Sequence, residues 1–372
     1  MHATYADRVN ALRRWLEDQA LDALVIPHED EFLGEYIPAH NERLHWATGF
    51  TGSAGAAVIT RENAAIFVDG RYTVQVRKQV PGDIFEYRHL IEQPALQWLT
   101  SNLPQGSKVA IDTRLHSANW LANAEQTVAG KLTLTAIDSN PIDALWHDRP
   151  EPRLTTARLM GNELVGQSST EKRVLIGQAL TKAGANAALL SQLDSICWLL
   201  NIRGGDVSRL PVVLASALVE ANGNVILFID PSRLPDDFTA HVGAGVSVQS
   251  PDALEAALSA MSGKTILVDP QTSNAWASQV LAKNGAIIVH AADPCMLPKA
   301  AKNTTEIAGM KASHIRDGVA VSRFLAWLDA QVAAGILPNE AELSDKLYSF
   351  RELDETLADL SFDTISAAGG NA

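Results

Sequence analysis

The sequence has very little cysteine and no long apolar run. Its two cysteines, Cys197 and Cys295, both stand in apolar surroundings. Small domains that rely on disulfides use many more cysteines, so a disulfide framework is not expected. No apolar stretch approaches the roughly 20 residues that a helix needs to cross a bilayer. The first eight residues have neither the basic nor the apolar region of a secretion signal. These absences predict a cytoplasmic protein.

Positive charge is also in short supply. Lysine and arginine number 30 against 43 aspartates and glutamates, which gives a formal net charge of −13. The basic residues are scattered, and a chain of this charge repels phosphate backbones and anionic lipid. The sequence therefore predicts no nucleic-acid partner and no membrane partner. With 47% apolar and 20% charged residues the chain is nevertheless an ordinary globular one.

The length and the pattern of elements predict three sections. A chain of 372 residues is too long for one ordinary core. A charged, proline-bearing stretch at 148–153 reads as a linker, so we expect one section at 1–150 and a second at 151–296. The first section should contain a helix and a buried strand ending at Pro27, a hairpin with strands at 56–60 and 64–68, and a helix that starts at Tyr72.

The second section repeats the first. Four landmarks recur in the same order at offsets of 164, 152, 161 and 157 positions: residues 22–26 and 186–190, Trp46 and Trp198, residues 67–69 and 228–230, and residues 109–112 and 266–269. One match would mean little, because strand and helix patterns often align by chance. Four matches in order predict two duplicated α/β domains.

The third section, 297–372, is predicted to be incomplete. Asn303 with Glu306 and Asn339 with Glu342 have the spacing of helix-starting capping boxes. Gly335 should end the first of these helices, and residues 361–366 read as a strand. Two helices and one strand cannot bury the face of a sheet.

Two short motifs could suggest chemistry, but neither has the required pattern. The glycine loop 49–55 lacks the Lys-Ser/Thr end of a phosphate-binding loop and is followed by strands, and its Ser53 lacks the flanks of a nucleophile elbow. A structural turn is expected there. The acidic and histidine run 28–31, with Glu35 and His40 beyond it, has no metal-ligand spacing. We expect it to lie on the surface or at a domain contact.

Two arginines stand at predicted turns. Arg71 follows a buried strand in Asp69-Gly70-Arg71, where it could clamp a peptide carboxylate or bind across an interface. A local salt bridge at the strand end is the simpler interpretation. The stretch from Arg203 to Asp206 offers the same choice, and a structural Arg–Asp turn is expected there. The residues alone thus show no complete catalytic constellation.

Several stretches, taken in order, resemble the long, three-domain Xaa-Pro aminopeptidases. The first section contributes LHWATGFTGSAG at 44–55 and VDGRY at 68–72. The second contributes LDSICWLLNIRG at 193–204 and LFID at 227–230. The third contributes LPKA at 297–300, ASHIRDG at 312–318 and LSFDTIS at 360–366. The match runs through essentially the whole chain and is far more specific than any single motif.

The resemblance implies two creatinase-N-terminal-like α/β domains, with mixed sheets flanked by helices, and the incomplete start of a pita-bread α+β catalytic domain. It implies a cytosolic metallopeptidase that removes the N-terminal residue preceding proline, acts on proline-containing peptides and forms a homodimer when full length. Two divalent ions, usually manganese, are held in the family by two Asp, one His and two Glu. Such hard oxygen-rich sites suit manganese.

The resemblance carries no catalytic or metal-ligating residue onto this chain. In the family these residues lie downstream of the segment that corresponds to 361–372, so we expect a front portion that is inactive alone and binds manganese only weakly. The family usually has Gly-Pro-Asn where this chain has Gly369-Gly370-Asn371. Arg71 is the one residue predicted near a substrate, in the site of a partner subunit.

Two alternatives remain open. The chain could be a non-catalytic accessory or oligomerisation module derived from this family. It could also be another pita-bread hydrolase, like prolidase or creatinase. The second alternative is disfavoured because those relatives carry a single N-terminal domain, whereas this sequence contains two.

Overall fold

The computed structural model describes residues 4–371, which form two six-stranded sheets followed by a helical section. The first sheet contains β1 Ala23–Pro27, β2 Gly55–Thr60, β3 Ala64–Val68, β4 Glu86–His89, β5 Lys108–Ile111 and β6 Thr133–Ala136. Its helices are α1 Tyr5–Asp18, α2 Arg43–Thr48, α3 Gln75–Gln79, α4 Ala95–Asn102, α5 Ala118–Val128 and α6 Pro141–Leu145. The strand order is β4-β3-β2-β1-β5-β6. Strands β1, β2 and β3 pair antiparallel, and the outer pairs are parallel.

The central strands are apolar throughout because helices cover both faces of the sheet. All five residues of β1 and all five of β3 are buried, and such strands read as continuous apolar runs. Helix α1 starts with a capping box between Thr4 and Asp7. It packs Val9, Leu12 and Leu16 onto one face of the sheet. Burying one such leucine stabilises the fold by about 1.5–3 kcal/mol.

The second sheet has the same topology as the first. Its region contains β7 Arg158–Leu159, β8 Ala187–Leu190, β9 Ile202–Arg203, β10 Ser216–Glu220, β11 Val225–Phe228, β12 Val246–Gln249, β13 Thr265–Val268 and β14 Ile287–His290. The helices are α7 Asn162–Val165, α8 Ser169–Lys182, α9 Leu193–Leu200, α10 Phe238–Val242, α11 Leu254–Ser259 and α12 Ala275–Lys283. The order β12-β11-β10-β8-β13-β14 matches the first sheet strand for strand, with the same parallel and antiparallel pairs. The predicted repeat is confirmed. We call the units around these sheets the first and the second repeat.

The third section is helical in the part of the chain that the structure describes. It contains α13 Met296–Ala300, α14 Thr304–Ala333 and α15 Glu340–Arg351. Both predicted capping boxes are present, and Gly335 follows α14 with a left-handed φ of 74°. Along α14 Ala320 is the buried residue, so most of its apolar side chains face outward. Among residues 4–371 no helix is long and apolar enough to span a membrane.

Two predicted elements differ from the structure. Residues 361–366 form no strand, because a strand needs a neighbour to satisfy its backbone hydrogen bonds and none lies beside this segment. The helix predicted from Tyr72 begins only at Gln75. A separate 3₁₀ turn, Gly70–Tyr72, precedes it because the carboxylate of Asp69 caps that turn. The hairpin of β2 and β3 is confirmed.

Candidate functional site: the Arg71 turn of the first repeat

The Arg71 turn projects from the end of the buried strand β3. Asp69 accepts a hydrogen bond from the backbone N–H of Arg71 at 2.9 Å and holds the Arg71 guanidinium through Nη2 at 2.8 Å. The side-chain hydrogen bond from Arg71 lowers the pKa of Asp69, and the same bond raises the pKa of Arg71. The local salt bridge predicted for this turn is therefore present. The Arg71 side chain is still 58% exposed.

A series of hydrogen bonds between polar side chains connects this turn to two other loops. The hydroxyl of Tyr72 lies 2.9 Å from Ser53 Oγ and accepts the backbone N–H of Ser53 at 3.1 Å. Ser53 Oγ in turn donates to Glu35 Oε1 at 3.1 Å. The backbone carbonyl of Glu35 lies 2.9 Å from His28 Nε2. Three loops of the first repeat thus meet at Tyr72.

Packing fixes the position of the Tyr72 ring. Phe50, which is 2% exposed, meets it edge to face with 5.4 Å between ring centroids. Gly52 lies against both rings, and a Cβ atom there would come within 2.3 Å of Phe50 Cζ and 2.9 Å of Tyr72 Cδ1. The glycine loop 49–55 is therefore a structural turn, as the sequence predicts. The loop brings Ser53 within hydrogen-bond distance of the Tyr72 hydroxyl.

Sequence reasoning found Arg71 but missed the side chains that support it. Glu35, Ser53 and Tyr72 lie 18 or 19 residues apart on separate loops. No periodicity connects such positions, and each residue type is common in loops. Only the strand order, which places the ends of β1 and β3 on either side of β2, brings them together.

The acidic run 28–31 lies at a contact between the repeats, which is one of its two predicted positions. Asp30 is buried and accepts hydrogen bonds from Asn41 Nδ2 and from the backbone of Phe32, both at 2.9 Å. Burial, followed by the nearby charge of Glu31, raises the pKa of Asp30 to about 6. Asn274 of the second repeat donates to the carbonyl oxygen of Glu31 at 3.0 Å. The outlying His40 lies elsewhere, with Nδ1 2.6 Å from the carbonyl oxygen of Pro150.

A buried arginine, which sequence reasoning also missed, neutralises this contact. Arg43 is 3% exposed and donates to Asp143 from Nε at 2.7 Å and to Glu31 from Nη2 at 2.6 Å. Arg149 adds a second ion pair to Asp143 at 3.0 Å. Interaction with Asp143 and Glu31 raises the pKa of Arg43 against the opposing effect of burial. These ion pairs lie beside the contact between the repeats and stabilise it from the side of the first repeat.

The predicted turn between Arg203 and Asp206 is wrong. Arg203 donates instead to the carbonyl oxygens of Cys197 at 3.2 Å and of Ile202 at 2.8 Å. Asp206 is 1% exposed and forms an ion pair with Arg233, which lies 27 residues further along the chain. The C-terminal carbonyls of α9 attract Arg203, because helix C-termini carry partial negative charge. Asp206 is buried inside the second repeat and does not contact Arg203.

The remaining titratable residues do not form a metal centre. Within residues 4–371, no group of three or more His, Cys, Asp or Glu side chains is placed so that it could hold a metal ion. Cys197 and Cys295 are free thiols and are buried. Burial raises the pKa of both thiols, so neither is an activated nucleophile.

Comparison with known families matches the two repeats to two models that carry the same description. Residues 8–145 match the Creatinase/Prolidase N-terminal domain, and residues 148–306 match a second model of the same description. The two matches correspond to the two sheets.

Relatives extend the similarity over nearly all of the chain. Xaa-Pro aminopeptidase 1 of Dictyostelium discoideum is 34% identical over 98% of this chain, which covers 60% of that protein. Xaa-Pro aminopeptidase ApepP of Drosophila melanogaster is 35% identical over 94% of this chain, which covers 58% of that protein. The chain thus spans about three fifths of the length of these curated relatives.

A solved structure has the same fold. The X-prolyl aminopeptidase from Caenorhabditis elegans, described as a cytosolic enzyme with a di-nuclear active site, superposes with a TM-score of 0.91. It is 26% identical, and the match covers 98% of this chain and 62% of that one. None of these matches confirms the expectation that the chain is only an N-terminal part, or that it is inactive. Both of its repeats are creatinase/prolidase N-terminal domains, and over 94–98% of its length the chain is homologous to the Xaa-Pro aminopeptidases it matches.

Proposed function

We propose that this chain provides two accessory domains, 1–150 and 151–296, and the start of a peptidase domain, 297–372, in a Xaa-Pro aminopeptidase. Such an enzyme releases the N-terminal residue that precedes proline. The observation that carries this proposal is the 34% identity to a Xaa-Pro aminopeptidase over 98% of the chain. The 0.91 superposition on a cytosolic X-prolyl aminopeptidase supports it. By analogy with that enzyme we place the chain in the cytoplasm, and we propose a homodimer for the full-length form.

Within this function we assign Arg71 to substrate contact. Its guanidinium is exposed although Asp69 orients it, and the ring of Tyr72 lies 5.1 Å from its Cζ atom. The side chain is therefore pre-oriented and still open to a peptide. Guanidinium groups bind carboxylates and carbonyl oxygens through paired N–H donors. The proposed ligand is the peptide substrate bound in the site of a partner subunit.

The Arg71 assignment is tested in the active full-length Xaa-Pro aminopeptidase to which this chain is proposed to belong. One charge-assisted hydrogen bond contributes about 1.5–3 kcal/mol, so Arg71→Ala should lower kcat/KM for an Arg-Pro-Pro peptide about 10- to 100-fold. Lys78→Ala removes an exposed cation from α3 of the same repeat and is the matched control. An Arg71→Ala enzyme with unchanged kcat and KM would refute the assignment and leave the family function standing.

Metal binding gives a second test. The C. elegans relative has a di-nuclear site, whereas the residues described here do not fit one. We therefore expect the chain by itself to bind Mn²⁺ weakly and to leave Arg-Pro-Pro intact. Isothermal titration with Mn²⁺ and chromatography of the peptide after incubation check both expectations. Two tight manganese sites, or released arginine, would contradict them.

A further inference from the structure

The two repeats meet through the segments that connect β5 to α5 and β13 to α12. These segments, 112–119 and 269–276, run antiparallel and exchange four backbone hydrogen bonds. The N–H of Ala118 donates to the carbonyl of Ser273 at 3.2 Å, and the N–H of Ala275 donates to the carbonyl of His116 at 2.8 Å. The N–H of Asn119 donates to the carbonyl of Pro270 at 2.8 Å, and the N–H of Trp276 donates to the carbonyl of Thr113 at 3.0 Å. The repeats are thus joined by main chain as well as by side chains.

The four bonds form two pairs related by a fixed shift in sequence. Adding 157 to donor 118 gives donor 275, and subtracting 157 from acceptor 273 gives acceptor 116. The same operation converts the bond from 119 to 270 into the bond from 276 to 113. Ser117 and Asn274, also 157 apart, face each other as an isolated antiparallel bridge. An interface in which residue i meets j and j meets i is isologous and has a local two-fold axis, which here passes between Ser117 and Asn274.

The local structure on the two sides of this axis is also equivalent. Ser117 caps α5 by accepting the N–H of Trp120, and Asn274 caps α12 by accepting the N–H of Ala277. Ala275 is 1% exposed and packs into the apolar cluster of the first repeat. Each side therefore offers the same backbone groups, in the same geometry, on a segment that its own sheet and helix hold in place.

We propose that this segment is a self-recognition surface, and that the partner it fits is a second copy of the same repeat. In this chain the second repeat occupies the surface of the first. When that occupant is displaced, the first repeat of one molecule pairs with the first repeat of another. The inference depends on the symmetry of the contact and does not depend on the proposed function.

Two side-chain contacts favour the pairing within one chain. Arg114 lies over the ring of Trp276 at 4.8 Å, and Asn274 donates to the carbonyl oxygen of Glu31. In a pair of first repeats, Asn119 would occupy the place of Trp276 and Ser117 that of Asn274. The four backbone bonds would remain and both side-chain contacts would be lost. The first repeat should therefore stay paired with the second repeat of the same molecule, and it should pair with another molecule only after this internal contact is broken.

A cysteine on the axis distinguishes the two pairings in the full chain. Ser117 and Asn274 form the non-hydrogen-bonded kind of antiparallel pair, whose Cα atoms lie about 4.5 Å apart, within disulfide range. Ser117→Cys with Asn274→Cys should close a disulfide inside one chain, and the protein should elute as a monomer. Ser117→Cys alone should stay a reduced monomer. An uncrosslinked double cysteine would overturn the axis itself.

The decisive variant combines Ser117→Cys with Ala275→Glu. A glutamate in the first turn is favourable to α12. At position 275, however, it would bury a charge in the apolar cluster of the first repeat, and this should separate the second repeat from the first. We expect 117–117 disulfide dimers to form at least tenfold faster than dimers of Ala275→Glu with a cysteine at the exposed Ser101. Equal rates, or a monomer, would overturn the proposal. If circular dichroism shows that the Ala275→Glu variants have lost structure, Asn274→Asp is used in their place, because aspartate still caps α12. The same rates and the same outcomes then apply.

Discussion

Removing the carboxylate of Asp206 should destabilise the second repeat strongly. This carboxylate accepts the N–H and the hydroxyl of Thr155, both at 2.8 Å, the N–H of Leu214 at 2.6 Å, and the guanidinium of Arg233. Its side chain is fully buried, and that of Arg233 is 8% exposed. Asp206→Ala therefore leaves a buried cation without its partner and several donors without an acceptor. Breaking a buried ion pair in this way costs about 3–5 kcal/mol.

Urea unfolding, followed by tryptophan fluorescence and circular dichroism, measures this loss. Glu86→Ala is the matched control, because it removes a carboxylate from an ion pair with Arg88 in which both side chains are partly exposed. Such surface pairs contribute about 0–1 kcal/mol. Asp206→Ala with Arg233→Met should recover part of the loss, since the stranded charge is gone. A single Asp206→Ala variant within 1 kcal/mol of the parent would refute the reasoning.

Three further predictions concern other buried positions. Gly52→Ala should lower the free energy of unfolding by about 1–3 kcal/mol through overpacking against Phe50, whereas Gly70→Ala, with no atom near its Cβ position, should have little effect in the same urea assay. Burial lowers the pKa of His116 to about 3. Between about pH 6.5 and pH 3 only the unfolded chain therefore takes up a proton on this histidine, which favours unfolding. Acidification from pH 6 to 4 should lower the free energy of unfolding of the parent relative to that of His116→Phe, by at most about 1.4 kcal/mol per pH unit. The raised pKa of Asp30 has the opposite effect on the pH dependence. The stability that protonated Asp30 contributes is lost as the pH rises from about 4 through 6. Over this range the free energy of unfolding of Asp30→Asn should rise relative to that of the parent by up to about 3 kcal/mol. Parallel pH profiles of variant and parent would contradict either titration.

The repeated architecture could be predicted from sequence because its signals are local. The strand 64–68 is a continuous apolar run between turn residues, and its counterpart lies at a nearly constant offset. Helix starts at Asn303 and Asn339 follow from side chains three residues apart. Each of these features depends on neighbours along the chain, so its physical cause is visible in the sequence.

The errors arose where the determining partner is distant in sequence. Residues 361–366 have strand composition but lack a neighbouring strand, and composition cannot show that. Asp206 is close to Arg203 in sequence, yet its partner is Arg233. The polar support of Arg71 likewise comes from loops brought together by the strand order. Its exposed position at the end of β3 was predictable, whereas the side chains that hold it were not.

The ion pair of Arg233 also shows how the two copies have diverged. Arg233 stands 161 positions after Tyr72, in the 3₁₀ turn that follows the equivalent strand. In the second repeat this position is buried: Arg233 forms an ion pair with Asp206 and contacts the backbone of residues 155–157. In the first repeat Tyr72 stands at this place, and the side chain of the neighbouring Arg71 is 58% exposed. Equivalent turns of the two repeats thus hold an exposed arginine in one case and a buried ion pair in the other, so substitutions at 233 should lower the melting temperature more than substitutions at 71.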